Sequence, residues 1–293
     1  ELTAYAERVG CEPLLLNKFS NGKWKQFRDY LRHISDSYVE LDSKLTFKTQ
    51  HVDREDYASK RLPYDLRSDD CPAYQELAAT LYDPSELDKL EWAVGSIIAG
   101  DSKHIQKFLV LYGSAGAGKS TYLNIVQQLF AGYYAVFDAK DLTGGNNAFS
   151  TEAFRGNPLV AIQHDGDLSR IADNTKLNSI VSHEEIIVNE KFKATYSTRS
   201  LAFLFMGTNK PVKITDSKSG LIRRLIDVKP SGRLLEYHRY QTLMQQIKFE
   251  LGSIANHCLE KYRRMGKSYY DSYLPLDMMF RTDTFFNFGT NID

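Results

Sequence analysis

The stretch "FLVLYGSAGAGKSTYLNIVQQLF", Phe108 to Phe130, constrains this chain more than any other. An aliphatic run of strand length leads into Gly113, Ser114, Ala115, Gly116, Ala117, Gly118, Lys119 and Ser120, with Thr121 next. These residues fit G-x-x-x-x-G-K-[ST] without a gap. Glycines let backbone N–H groups converge on phosphate oxygens, and the helix that follows presents its N-terminus to an anion. In that setting Lys119 reaches the β- and γ-phosphates and the Ser120 hydroxyl holds Mg²⁺. Leu123, Val126, Leu129 and Phe130 then recur on one helical face. A ligand-free glycine turn between strand and helix is the competing account; motif and context together argue against it.

A phosphate-binding loop alone leaves kinases, GTPases and ATP motors open, so the rest of the chain must say what the nucleotide is for. Its 293 residues suit two modest domains or one large domain with appendages. Lys+Arg and Asp+Glu are both 37, so any nucleic-acid site must be local and not a property of net charge. Cys11, Cys71 and Cys258 lack metal-ligand or CxxC spacing and read as reduced, half-buried thiols. No apolar run is long enough to span a bilayer and no signal peptide is visible, so a cytoplasmic location is expected. The first residue is Glu1, which reads as the start of an excised or processed piece.

Residues 1–100 read as a helical N-terminal domain. Trp24, Phe27, Leu31 and Ile34 keep helical spacing, and "DPSELDKLEWAVGSIIAG" has Pro84 at its start and Gly100 as a stop. "RLPYDLRSDDCP", Arg61 to Pro72, reads as a loop. From residue 101 to 235 strand-length apolar runs alternate with helical stretches: "FLVLY", "YAVFD", "LVAI", "LAFLFM" and "LIRRLIDV". This grammar predicts an α/β layer, a parallel sheet with helices on its faces. Residues 236–293 read as a C-terminal segment of one long or two shorter helices, followed by an aromatic-rich end without a clear period.

Further motifs follow the loop. "LVAIQHDGDL" puts Asp165, with Asp167 as second choice, just past a strand end, where a carboxylate contacts Mg²⁺ and polarises an attacking water. An Asp-Gly turn is the bland account of the same residues. "LFMGTNKPVKI" puts Asn209 at the end of the next strand, where an amide senses a γ-phosphate. Arg223 and Arg224 interrupt the run 221–228. Burying them unpaired costs several kcal/mol, so at least one should meet an anion or an acid. If that run is a strand, the two side chains point to opposite faces, so one would serve as an arginine finger to a neighbouring copy's ATP and the other pair locally; two purely structural arginines are the alternative.

These motifs, "GSAGAGKST", "QHDGDL", "GTN" and "RRL" in that order, resemble a superfamily 3 helicase of the AAA+ class. More narrowly, roughly residues 60 to 235 are similar to the ATPase part of primase-helicases of phages, plasmids and poxviruses. The resemblance implies an AAA+ P-loop sheet, ATP and Mg²⁺ as nucleotide and cofactor, and a ring, usually a hexamer. Each ATP would lie between subunits, with Arg223 or Arg224 supplied by the neighbour. It implies single-stranded or forked DNA as partner, an upstream primase domain or other replication proteins nearby, and the host cytoplasm as compartment. The family's second motif carries adjacent acids, whereas Gly166 separates Asp165 from Asp167 here, so their division of labour stays open.

Between the second and third motifs, "EIIV" and "ATYST" flank the tip "NEKFK" and read as a hairpin. The resemblance places such a hairpin in a ring pore, where Lys191 and Lys193 neutralise phosphates and Phe192 stacks on a base. Solvated lysines on an exposed turn are the alternative. Lys210, Lys213 and the run "YRRMGKSYY" (262–270) are weaker candidates. Two other classes remain in view: an ATP-switched, DNA-binding loader that does not unwind, and a P-loop kinase with its arginines acting in cis.

Overall fold

The computed structural model describes residues 45–53, 58–143, 151–167, 174–189, 196–212 and 220–282. Residues 43–293 form one compact unit, and the fold below is that unit. The candidate DNA-contacting residues Lys191, Phe192 and Lys193, together with Lys213, Cys11 and the helical pattern around Trp24, lie outside the described residues.

Five parallel strands build the central sheet: β3 (Phe108–Tyr112), β4 (Tyr134–Val136), β5 (Val160–Gly166), β8 (Phe203–Thr208) and β9 (Leu225–Val228). Their order is β4-β5-β8-β3-β9. Strand β3 therefore sits inside the sheet, with β8 on one side and β9 on the other. Two short ladders accompany the sheet among the described residues: a parallel pair, β1 (Leu45–Thr46) with β2 (Lys60–Arg61), and an antiparallel pair, β6 (Glu185–Val188) with β7 (Tyr196–Arg199).

The period-2 geometry of strands divides the core into two layers. Leu109, Leu111, Val160, Ile162, Phe203, Phe205, Ile226 and Val228 face one layer, while Phe108, Val110, Tyr112, Ala161, Leu204 and Met206 face the other. All are buried, which is why these strands read as continuous apolar runs without alternation.

The first layer is filled by helices α1 (Pro72–Leu81), α2 (Pro84–Ile98), α3 (Lys119–Leu129) and the single 29-residue helix α6 (Tyr237–Met265). Pro84 opens α2, and Gly100 follows its end at a φ of 78°, a backbone state that favours glycine. Segments on either side of the 101–235 stretch thus share a core with the sheet. Helices α2 and α6 approach closely at Gly95, where a Cβ would stand 2.1 Å from the Cys258 carbonyl oxygen. The second layer holds α4 (Ala139–Thr143), α5 (Thr175–Val181) and, through Met278, α7 (Leu276–Thr282).

The run 221–228 departs from its sequence expectation. Residues Ile222–Arg224 form a one-turn 3₁₀ helix, and the strand begins only at Leu225. Arg223 and Arg224 therefore do not alternate across a sheet. Leu221 is buried and anchors the turn, whereas Arg223 is exposed and Arg224 half-buried.

Candidate functional site

The strand order sets the site. The chain leaves β3, reaches β4, β5 and β8 on one side, then crosses back to β9 on the other. In open parallel sheets such a reversal opens a crevice at the carboxyl ends of the strands, where ligands bind. The glycine loop, Asp165 and Asn209 all lie at those ends, on β3, β5 and β8.

The loop from Gly113 leaves β3 with its first N–H donating to the Thr208 carbonyl at 3.3 Å. Ser114, Ala115 and Gly116 are exposed, and Ala117 is buried. Gly116 and Gly118 have φ of 78° and 95°, both in the region that favours glycine. At Gly118 a Cβ would also meet Leu81 Cδ2 at 2.8 Å, so the end of α1 packs directly under the loop. Lys119 opens α3, with Ser120 exposed on its first turn.

Lys119 is buried, yet its three N–H donors are satisfied. Nζ donates to the carbonyls of Gly113 and Ser114 and to Asn209 Oδ1, each at 2.8 Å. Burial pulls its pKa down and the nearby Asp165 carboxylate pushes it back, with a net lowering. Asn209 Nδ2 in turn donates to both Asp165 oxygens at 3.1 Å. The side chains form a line, ammonium to amide to carboxylate, across three strand ends. The amide orientation is fixed by chemistry: an ammonium only donates and a carboxylate only accepts, so Oδ1 must face Lys119.

The two acids that the sequence left undivided are held differently. Strand β5 runs on to Gly166 through a register shift against β8 between Gln163 and Gly166. Asp165 joins the Lys119–Asn209 line, whereas Asp167 pairs with Lys210 at 3.0 Å. Lys210 is thus engaged beside the acids. Asp138, at the end of β4, shares a cleft of about 250 Å³ with Lys140, Asp165, Asp167, Asn209 and Lys210. Sequence reasoning passed over Asp138; the signal was available in "YAVFD", an acid closing an apolar run as Asp165 does.

The arginine turn lies elsewhere. Phe108 pairs with Leu225, so Arg224 sits at the amino end of β9, beside the start of β3. The loop begins five residues further along, roughly 16 Å away at ~3.3 Å per residue. Within one chain the arginines and the loop occupy opposite ends of the sheet. Arg224 Nη1 donates to Asn178 Oδ1 at 3.0 Å, and burial lowers its pKa.

The two described cysteines are core residues. Cys71 and Cys258 are buried, and burial pushes the Cys71 thiol up to about 12 and Cys258 well above its ordinary range. Among the described residues no group of three or more His, Cys, Asp or Glu side chains is placed to hold a metal ion. No helix among them is long and apolar enough to cross a membrane.

A family model described as "Family of unknown function (DUF5906)" matches residues 111–224, from the end of β3 through the arginine turn and less than half of the chain. The fold is similar to an A-form apo structure of the NrS-1 C-terminal region, with a TM-score of 0.53, 13% identity, and 69% of this chain and 53% of that chain covered. A second apo structure of the same region matches with a TM-score of 0.50, 15% identity, and 72% and 54% coverage. The match spans about half the length of those structures, and at this identity the likeness is one of fold.

Proposed function

We propose that this chain is a nucleoside triphosphatase motor of the superfamily 3 type, an ATP-dependent DNA helicase or translocase that works as a ring in phage or mobile-element replication. The observation that carries the reading is the Lys119–Asn209–Asp165 line at the switch point of the sheet.

In this reading the backbone N–H groups of Gly113 to Lys119 and the α3 N-terminus hold the triphosphate. Lys119 exchanges its loop carbonyls for phosphate oxygens, a stronger, charge-assisted pairing. Asn209, already bonded to Lys119, lies where it can follow the terminal phosphate, and Asp165 orients the attacking water. Asp167, paired to Lys210, stands behind as a modulator of that charge.

The donor set suits Mg²⁺: the Ser120 hydroxyl and the Asp165 carboxylate are hard oxygens, and this ion commonly takes one or two protein oxygens plus phosphates and water. Held by these two side chains, such an ion would supply positive charge to offset that developing on the phosphates. The distance between the arginine turn and the loop favours arginines supplied to a neighbouring copy over a finger or lid acting in cis, as a kinase would need. Lys191, Phe192 and Lys193, in the sequence between β6 and β7, are the proposed DNA contacts.

The test is strand displacement on forked DNA beside DNA-stimulated ATP turnover. The wild-type chain is expected to do both, and Lys119→Ala to lose turnover by about 10²-fold or more. ATP turnover without displacement would replace the motor by a loader, and undiminished turnover in Lys119→Ala would remove the site.

A further inference from the structure

A second cleft, of about 280 Å³, lies at the amino end of β3 and β9, away from the glycine loop. Three separate segments supply its cations: Lys107 just before β3, Arg223 and Arg224 from the 3₁₀ turn, and Lys267 just beyond α6. Among the described residues, Asp271 is the only carboxylate lining it. Four cations against one acid repel each other, and the more strongly the less water screens them. A multiply charged anion reverses that balance.

The cleft is held in shape by a buried lysine. Lys107 Nζ donates to the Arg223 carbonyl at 2.5 Å and to the Asp271 carbonyl at 3.2 Å. It fastens the arginine turn to the segment that carries Lys267. Arg224 Nε is buried and has no hydrogen-bond partner among the described residues, a cost that an acceptor in the cleft would remove. Arg223 and Lys267 are exposed and free to reach outward. The cations form a compact cluster and not a stripe along one face, which suits a short phosphate tail better than the backbone of a nucleic-acid strand.

We infer that this cleft receives the phosphate tail of a nucleotide bound to a second copy of the chain, with Lys267 as a contact additional to the arginines and Lys107 as the residue that positions their turn. The inference rests on the shared-site reading above and adds to it a residue from the C-terminal segment, outside the stretch matched by the family model.

The experiment is ATP turnover of full-chain Lys267→Ala, Lys267→Arg and Arg224→Ala, each alone and mixed with Lys119→Ala. Lys267→Ala is expected to lower kcat about tenfold or more with little change in KM, and Lys267→Arg to restore most of it. Mixing Lys267→Ala with Lys119→Ala is expected to recover activity, because one interface in the mixture pairs an intact loop with an intact cleft. No recovery on mixing would place Lys267 in its own chain's folding or site and overturn the inference. Wild-type turnover in Lys267→Ala, with turnover lost in Arg224→Ala, would remove Lys267 and leave the finger standing; wild-type turnover in both would bring down the shared site itself. Weakened single-stranded DNA binding by Lys267→Ala, with DNA-free turnover intact, would reassign the cleft to nucleic acid and equally overturn it.

Discussion

Asn209 is the residue on which the site turns. It is a neutral side chain that faces an obligate donor, Lys119, and an obligate acceptor, Asp165, at the same time. Its two neighbours carry opposite charge, and the amide keeps them apart while bonding both. Asn209→Asp keeps the contact to Lys119 but sets two carboxylates against each other, whereas Asn209→Ala leaves a buried ammonium one acceptor short. Both variants are expected to lower ATP turnover by about 10²-fold. Undiminished turnover in Asn209→Ala would contradict this role for the amide. In the sequence Asn209 was legible only as an amide after an apolar run. Its partners are 44 and 90 residues away, and no local spacing announces them.

At the scale of elements, the seam between α2 and α6 shows how a polar cluster is held inside a packed core. Glu91 is buried and accepts from Tyr74 Oη at 3.1 Å; His257 Nε2 lies 3.0 Å from the same oxygen, and Lys261 Nζ lies 2.8 Å from the other. Burial alone would raise its pKa, but the bonds from His257 and Lys261 outweigh it and the net shift is downward. A carboxylate depressed in the folded state contributes stability that is present above its unfolded value, about 4.3, and lost as pH falls through the folded value. Thermal unfolding followed downward from pH 6 should therefore show a loss below about pH 4.3 that is smaller in Glu91→Gln. Removing the acid altogether, in Glu91→Ala, is expected to cost roughly 3–5 kcal/mol, the range for breaking a buried pair. Equal acid profiles for Glu91→Gln and wild type would contradict the assignment.

The elements also show what a sequence conveals. The strands β3, β5 and β8 were legible because both their faces are buried, so apolar character runs on without a break. The arginine turn was misread for the same reason: Leu221, Ile222, Leu225, Ile226 and Val228 surround two arginines with a strand-like run, yet Leu221 and Leu225 serve a turn and a strand in succession. Helix α6 was legible as helix, with one long or two shorter helices left open, and Gly252 lies in its middle. In the structure that glycine is a point of close approach to the Asp65 carbonyl, where a Cβ would stand 2.1 Å away.

For the whole molecule, the position of β3 between β8 and β9 puts the glycine loop at one end of the sheet, one strand in from its edge, and the arginine turn at the other end. No periodicity gives that order, because it comes from how crossovers return to the sheet. Under the proposed reading one copy is incomplete, because its own arginines lie roughly 16 Å along the sheet from its own loop. The measurement that bears most directly on this is the mass of the particle in solution, taken with a non-hydrolysable ATP analogue and single-stranded DNA, at the concentrations where turnover is full. A closed assembly of several copies, lost in step with turnover on dilution, is the result expected. A single copy that hydrolyses ATP at the full rate would contradict the account.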